Sequence, residues 1–347
     1  MKHSAHAFFV GMMESDMAND LIIRPQVPAK RPTTTVPGLI FGTKPTVIAK
    51  RSLVYVAALL FLYFGVIGNL MHRIDADLDF MPPAPIEGGS HAVNMAEALI
   101  LRETVENRWT ANDPIFFPTA FHDNMPNYQR GVMRAISRFT MELESQIGRL
   151  RGSSAIDRDL ERAVGLLQFP TDVWLFDFDQ SFLPIQPADT QYEAAARALR
   201  AFNSRVALGM AVFETRPDAL AMTVERMAGE LGSRAAIVDE HVSGDGFIID
   251  FVSDDIFYFN KGMAYASYLL LRELGQDFES VIRAQGLTRV WQQALDSLRE
   301  ASQQKPLIVL NSSGANSFQA NHLHLQGFYL KRAILQLDEV ARVIRAN

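Results

Sequence analysis

Residues Ser52–Met71 read SLVYVAALLFLYFGVIGNLM, twenty positions without a charged side chain. A helix of that length covers roughly 30 Å, about the hydrocarbon thickness of a bilayer. Backbone amides in lipid must find partners within their own segment, so the stretch is helical if inserted. A buried core helix is the rival for such a run. The predicted body plan is a disordered cytoplasmic tail over residues 1–51, a transmembrane helix over 52–71, a linker over 72–90 and one large domain over 91–347.

Orientation follows from the flanks. Lys44, Lys50 and Arg51 precede the run, with Lys30 and Arg31 further back. Beyond it Arg73 stands among Asp75, Asp77, Asp79 and Glu87. Cytoplasmic flanks collect Lys and Arg, so the N-terminus is expected inside and the domain outside. A cleaved signal peptide fits poorly, because a long tail precedes the run and no A-x-A site follows it.

The charge is divided unevenly. The first 71 residues hold seven Lys/Arg and three Asp/Glu, leaving 26 and 36 of the chain's 33 and 39 for the rest, a net of −10. An acidic outer domain argues against nucleic acid as a partner and against broad electrostatic docking on anionic lipid heads. The chain has no cysteine, which excludes disulfides, thiolate nucleophiles and Cys-ligated metals.

The tail, broken by Pro25, Pro28, Pro32, Pro37 and Pro45, lacks sustained periodicity and leaves no room for a signalling enzyme of its own. Met81–Gly89 reads as a linker, stiff and then flexible. From His91 onward the helical period dominates. Val132, Ile136, Phe139, Leu143, Ile147 and Leu150 form one stripe, and Tyr192–Phe213, Leu220–Val238 and Leu323–Ile344 carry others. The predicted fold is mainly α. Ser154-x-x-Asp157 and Thr190-x-x-Glu193 read as helix starts, and Gly275 as the stop of a buried helix over Ile256–Leu274. Val173–Phe178, Phe247–Val252 and Leu307–Leu310 break the pattern; strands of a small β element and buried loops fit them equally.

No nucleophile elbow, zinc-protease helix, P-loop, dinucleotide fingerprint or calcium loop occurs. What remains is polar clusters. Asp113 and His122-Asp123 flank a Phe-Phe-Pro loop, Glu240-His241 ends a helix, and His322 and His324 open the last one. Imidazoles and carboxylates from three segments would make an acid–base site if they met. Their plainer reading is capping and helix-terminus charge, and no pair has metal-ligand spacing along one helix. Asp254-Asp255 reads as a helix N-terminus, and the arginines Arg149, Arg151, Arg158 and Arg162 as a solvated face. The aromatic stretch with Trp174, Phe176 and Phe182 is the loop apolar enough to be a partner surface. Alternation would bury one side of it. No cofactor or metal is implied.

Ten strings run in order: WTANDP from Trp109, FP from Phe117, DNMP from Asp123, RGSS from Arg151, DRDL from Asp157, DVW from Asp172, DEH from Asp239, FYxxKG from Phe257, YLLLR from Tyr268 and NHLxxQGFYL from Asn321. Together they make residues 50 to 345 resemble a proteobacterial family of single-span inner-membrane proteins known only as a domain of unknown function. The resemblance implies a Gram-negative inner membrane and a periplasmic domain. It brings no reaction and no site residue.

The functional expectation is a membrane-anchored periplasmic binding or scaffold protein, its partner an envelope protein or other envelope component. The alternatives are a hydrolase of envelope polymers working through Asp113, Asp123 or Glu240, and a small-molecule-binding domain reporting to another membrane protein. A cleft of converging His, Asp and Glu would favour the enzyme, an enclosed apolar pocket the small-molecule binder, and an open groove the scaffold. Alkaline phosphatase fused after Asn347 is expected to be active in intact cells; activity only from a cytoplasmic reporter at that point would reverse the orientation.

Overall fold

The computed structural model describes residues 45–151, 157–176, 183–243, 251–304 and 322–346. The chain divides into two compact units, Met1–Leu53 and Val54–Asn347. The described part of the first unit is the opening of helix α1, Pro45–Leu60. A π-helical turn, Phe61–Ile67, carries the chain on into α2, Gly68–Met71. Thr46–Met71 is one helix 26 residues long, 6% buried over its most apolar window, where the mean hydropathy is 2.1. It is long and apolar enough to cross a membrane. Leu53, Tyr55, Phe61 and Leu70 lie open along it, as lipid-facing side chains would.

Among the described residues every other regular element is a helix, and there is no strand. In order come α3 (His91–Leu101), a π-turn (Arg102–Glu106), α4 (Asn124–Arg151), α5 (Arg158–Leu167) and α6 (Ala188–Ala207). Then follow α7 (Pro217–Ser243), α8 (Phe251–Asp277), α9 (Glu279–Ala284), α10 (Thr288–Gln303) and α11 (His322–Ala346). Helix α8 is the central post, packed mainly against α4, α10 and α3 and more lightly against α11 and α7. Outside it α5 and α6 pair, α6 leans on α3, and α11 lies between α7 and α10. The stripes read from sequence are the faces that meet here: Val132, Ile136, Phe139, Leu199, Phe202, Leu220, Val224, Leu330 and Leu337 are all buried.

The tightest crossing, α4 on α8, rests on a pair of reciprocal glycines. A Cβ on Gly131 would strike the Phe259 carbonyl, and one on Gly262 the Tyr128 carbonyl. Only hydrogen at both positions lets the two backbones touch.

Several local expectations change. Gly275 lies inside α8, because the Trp291 indole occupies the place of its missing side chain; it is a packing glycine, not a stop. Asp157 itself caps α5, accepting from Asp159 N and Leu160 N. Helix α6 starts at Ala188, two residues before Thr190. Val173–Phe176 is a loop, clipped by bonds from Ile185 N to Leu175 O (2.9 Å) and Ala188 N to Val173 O (3.0 Å). Val173 is buried there while Leu175 and Phe176 lie exposed, so the chain turns instead of alternating. Residues 247–250 and 307–310 lie outside the described residues; Phe251 and Val252 open α8.

Residues 74–80, inside the stretch read as linker, form a strap over the bundle. Ile74, Ala76, Leu78 and Phe80 pack on the core, and five of the strap's carbonyls accept side-chain donors. Asp75 O takes Arg102 Nη2 (3.1 Å) and Tyr128 Oη (2.7 Å), Ala76 O takes Gln303 Nε2 (2.8 Å), and Asp77 O takes Tyr265 Oη (2.6 Å). Leu78 O and Phe80 O share the two arms of Arg272, both at 2.7 Å.

Gly262→Ala is expected to destabilise the protein by about 1–3 kcal/mol through overpacking at the crossing. Gly229→Ala, mid-helix in α7 with open space above it, should stabilise by about 0.5–1 kcal/mol. Thermal melts followed by circular dichroism in detergent would read both, and equal shifts would refute the crossing argument.

Candidate functional site

Two places in the fold concentrate polar side chains. The first lies where the apolar helix ends. His72, the residue after α2, accepts from Met125 N at 3.2 Å through Nε2, and its ring lies 5.3 Å from that of His122. Asp123 follows, and α4 begins at Asn124. The first turns of α8 bring Asp254 and Asp255 to the same spot. With its amide nitrogen facing the carboxylates, Asn124 donates to Asp123 (3.2 Å) and Asp254 (2.5 Å), and Asn127 donates to Asp255 (2.6 Å).

Burial, then the Asp123 and Asp255 charges, push the Asp254 carboxyl up to about 6. Burial and Asp123 raise Asp255 as well, with Asn127 and Arg130 opposing. Burial and then His122 lower His72 to about 4, with Asp123 pulling the other way. Near neutrality the cluster therefore holds neutral His72 beside crowded carboxylates, an arrangement that can keep and release a proton. Among the described residues no group of three or more His, Asp or Glu is placed to hold a metal ion.

Only part of the sequence-predicted polar set meets here. His122 and Asp123 do, joined by His72, Asp254 and Asp255, which spacing could not reveal. Asp113 is held by Arg108 (2.5 Å) and by the Thr119 hydroxyl. Glu240 is exposed in the last turn of α7, and neighbouring His241 shares a 2.9 Å hydrogen bond between Nε2 and the Ser253 hydroxyl. His322 is half-buried and His324 exposed at the start of α11. Of the apolar set, Trp174 is half-buried, edge-on to Phe116 with centroids 5.5 Å apart, and Phe176 lies 5.6 Å from Trp174. Phe182 lies outside the described residues.

The second place is an open groove of about 890 Å³ between α4 and α7. Arg130, Arg134 and Arg138 line it at four-residue spacing, one helical face, and Arg234 faces them from α7. Against these four arginines the lining has two acids, Glu230 and Asp172. Arg134 grips Glu230 with both arms (3.1 and 3.3 Å). Arg138 lies 2.6 Å from the same carboxylate, its N–H not aligned along the contact. Arg234 donates to Asn260 at 2.8 Å and stacks on Phe259 at 4.2 Å. Burial, with Arg134 adding repulsion, makes its guanidinium less basic than usual, Glu230 opposing. Met133, Leu167 and Phe169 give the groove an apolar share. A second hollow of about 500 Å³ shares Glu230 and Ser233 with the first and runs on to Glu142 and Arg345. Sequence reasoning passed over this stripe, although three arginines at i, i+4 and i+8 opposite an apolar stripe were the signal.

A family model described as "Uncharacterized protein conserved in bacteria" (DUF2333) matches residues 88–253 and 250–345. No curated protein and no solved structure matches the chain.

The polar cluster sets a pH dependence with two opposed parts. Asp254, at 3.8 when unfolded and about 6 when folded, contributes stability below 3.8 that is lost as pH rises through about 6. His72, at 6.5 unfolded and about 4 folded, contributes stability above 6.5 that is lost as pH falls through about 4. Asp254→Asn should therefore raise the melting temperature at neutral pH and make it fall more steeply on acidification, since one of the two raised carboxyls is gone while the opposing His72 part remains. A variant profile parallel to that of the unaltered protein would refute the assignment.

Proposed function

This chain belongs to the DUF2333 family of bacterial proteins, and we propose that it is a membrane-anchored binding protein of the cell envelope. On this reading the N-terminus is cytoplasmic, Thr46–Met71 crosses the inner membrane, and the helical domain stands in the periplasm. There it holds an acidic segment of another envelope protein in the α4–α7 groove.

The observation that carries the reading is the arginine surplus of the groove, four against two acids, in a domain whose remaining charge is strongly negative. Guanidinium forks bind carboxylates bidentately, and the Arg134–Glu230 pair is that geometry already made within the chain. The apolar share of the lining suits a peptide with hydrophobic residues between its acids. The open shape favours a peptide segment over an enclosed small molecule. The carboxylates a hydrolase would need are dispersed: Asp113 is tied to Arg108, Asp123 sits in the membrane-side cluster, and Glu240 points outward. The positive flank before the span supports the orientation.

The test is a titration of the detergent-solubilised full chain with a fluorescent poly-glutamate peptide, with poly-lysine as control. Binding should weaken as salt rises. Arg134→Glu combined with Arg234→Glu should weaken it at least about tenfold, or 1.4 kcal/mol, with the melting temperature checked alongside. Equal binding of both polymers, or no effect of the double substitution, would refute the groove as the site.

A further inference from the structure

The loop between the π-turn and α4 contains Pro114–Phe121, PIFFPTAF, eight residues without a charge. Three of its side chains face outward: Ile115 is 75% exposed, Phe116 57% and Phe121 65%. Its polar hydroxyl, that of Thr119, is turned back onto Asp113. The loop closes some of its own backbone bonds, Phe117 N to Pro114 O (2.9 Å) and Ala120 N to Phe117 O (3.1 Å). Pro114 and Pro118 have no N–H to satisfy.

This patch is attached to the long apolar helix. Tyr63 Oη donates to Phe116 O at 3.1 Å. The Phe64 and Phe121 rings meet edge-on with centroids 4.8 Å apart. Gly68 is bare so that the Pro118 carbonyl can touch the helix backbone. Tyr63 lies eight residues before Met71, so the contact reaches roughly 12 Å back along the helix axis from its apolar end. The polar ends coincide as well: the helix ends at His72, the loop at His122, and the two rings lie 5.3 Å apart. Two apolar segments thus run side by side and become polar at one level.

We propose that Pro114–Phe121 is a second, non-spanning membrane contact, a loop that buries Ile115, Phe116 and Phe121 among the lipid acyl chains of the leaflet on the domain's side. The inference rests on the reading of Thr46–Met71 as a membrane span. The occupant follows from continuity: whatever bathes Tyr63 and Phe64 on the helix bathes the loop pressed against them. A water-filled setting would leave three large apolar side chains exposed beside a lipid-facing helix, whereas a leaflet takes them favourably. Trp174, edge-on to Phe116, then stands at the height where Trp is enriched in membrane proteins.

The absence of cysteine makes the test direct. Single variants Ile115→Cys and Phe121→Cys of the full chain, labelled with an environment-sensitive fluorophore, are placed in phosphatidylethanolamine–phosphatidylglycerol vesicles containing brominated lipid. Leu59→Cys, mid-helix, and Glu279→Cys, exposed on α9, are the controls. The loop labels should shift to the blue and lose emission as the Leu59→Cys label does, while the Glu279→Cys label does neither. Loop labels that behave like Glu279→Cys while Leu59→Cys is quenched would overturn the proposal and leave the span standing. An unquenched Leu59→Cys would overturn the span and the loop with it. Circular dichroism of each labelled variant confirms that the fold is kept.

Discussion

The guanidinium of Arg102, 2% exposed, is the interaction from which the rest of the domain hangs. A buried charge without partners costs several kcal/mol, and this one is met at both terminal nitrogens and over its face, while its buried Nε has no hydrogen-bond partner. Glu103 lies at 3.3 Å, the Tyr265 hydroxyl at 2.7 Å, and the Phe80 and Tyr265 rings at 4.4 and 5.0 Å. Burial works against the charge, but Tyr265 and Glu103 hold the group more basic than an ordinary arginine. One arm also holds the Asp75 carbonyl. Together with Tyr128, Tyr265, Arg272 and Gln303, it binds a strap that has no regular structure of its own. The donors come from α4, α8, α10 and the turn after α3, so the strap's seat exists only once those elements have assembled.

The glycine crossing of α4 and α8 does a second job besides packing. It sets the register of the two helices, bringing Asn124 and Asn127 opposite Asp254 and Asp255. The same α4 continues, a turn later, into the arginine stripe of the groove. One helix thus carries both polar places, and the crossing positions each of them. Asp254 sits in the first turn of α8, where a carboxylate favours the helix dipole. That placement offsets part of the cost of crowding it against Asp123.

The helices were legible because their signal is periodic and local. Val132, Ile136 and Phe139 declare a buried face whatever they pack against, and the apolar run declares itself by length. What was not legible depends on approach between distant residues. Gly275 looks like a stop until Trp291 is seen filling its place. Met81–Gly89 and the residues before it read as a linker, because carbonyls accepting bonds leave no trace in side-chain pattern. His122 and Asp123 stood out by type, but His72 and Asp255 join them across tens of residues, and no spacing rule links such positions. The period-two pattern at Trp174 and Phe176 fits a strand and a loop equally; the two backbone bonds from Ile185 and Ala188 decide for a bent loop and bury Val173.

The seated strap also limits how far the domain can reach. A flexible tether sweeps a volume that grows with its length and trades that reach for a low local concentration at any one point. Here little slack separates the end of α2 from the first bonded carbonyl at Asp75, so the domain cannot swing out to fish for a ligand. With Thr46–Met71 seated in a membrane, as proposed above, its encounters would become a two-dimensional search by lateral diffusion, with a capture radius no larger than the domain itself. Anything it met on that reading would already have to lie within one domain's height of the membrane.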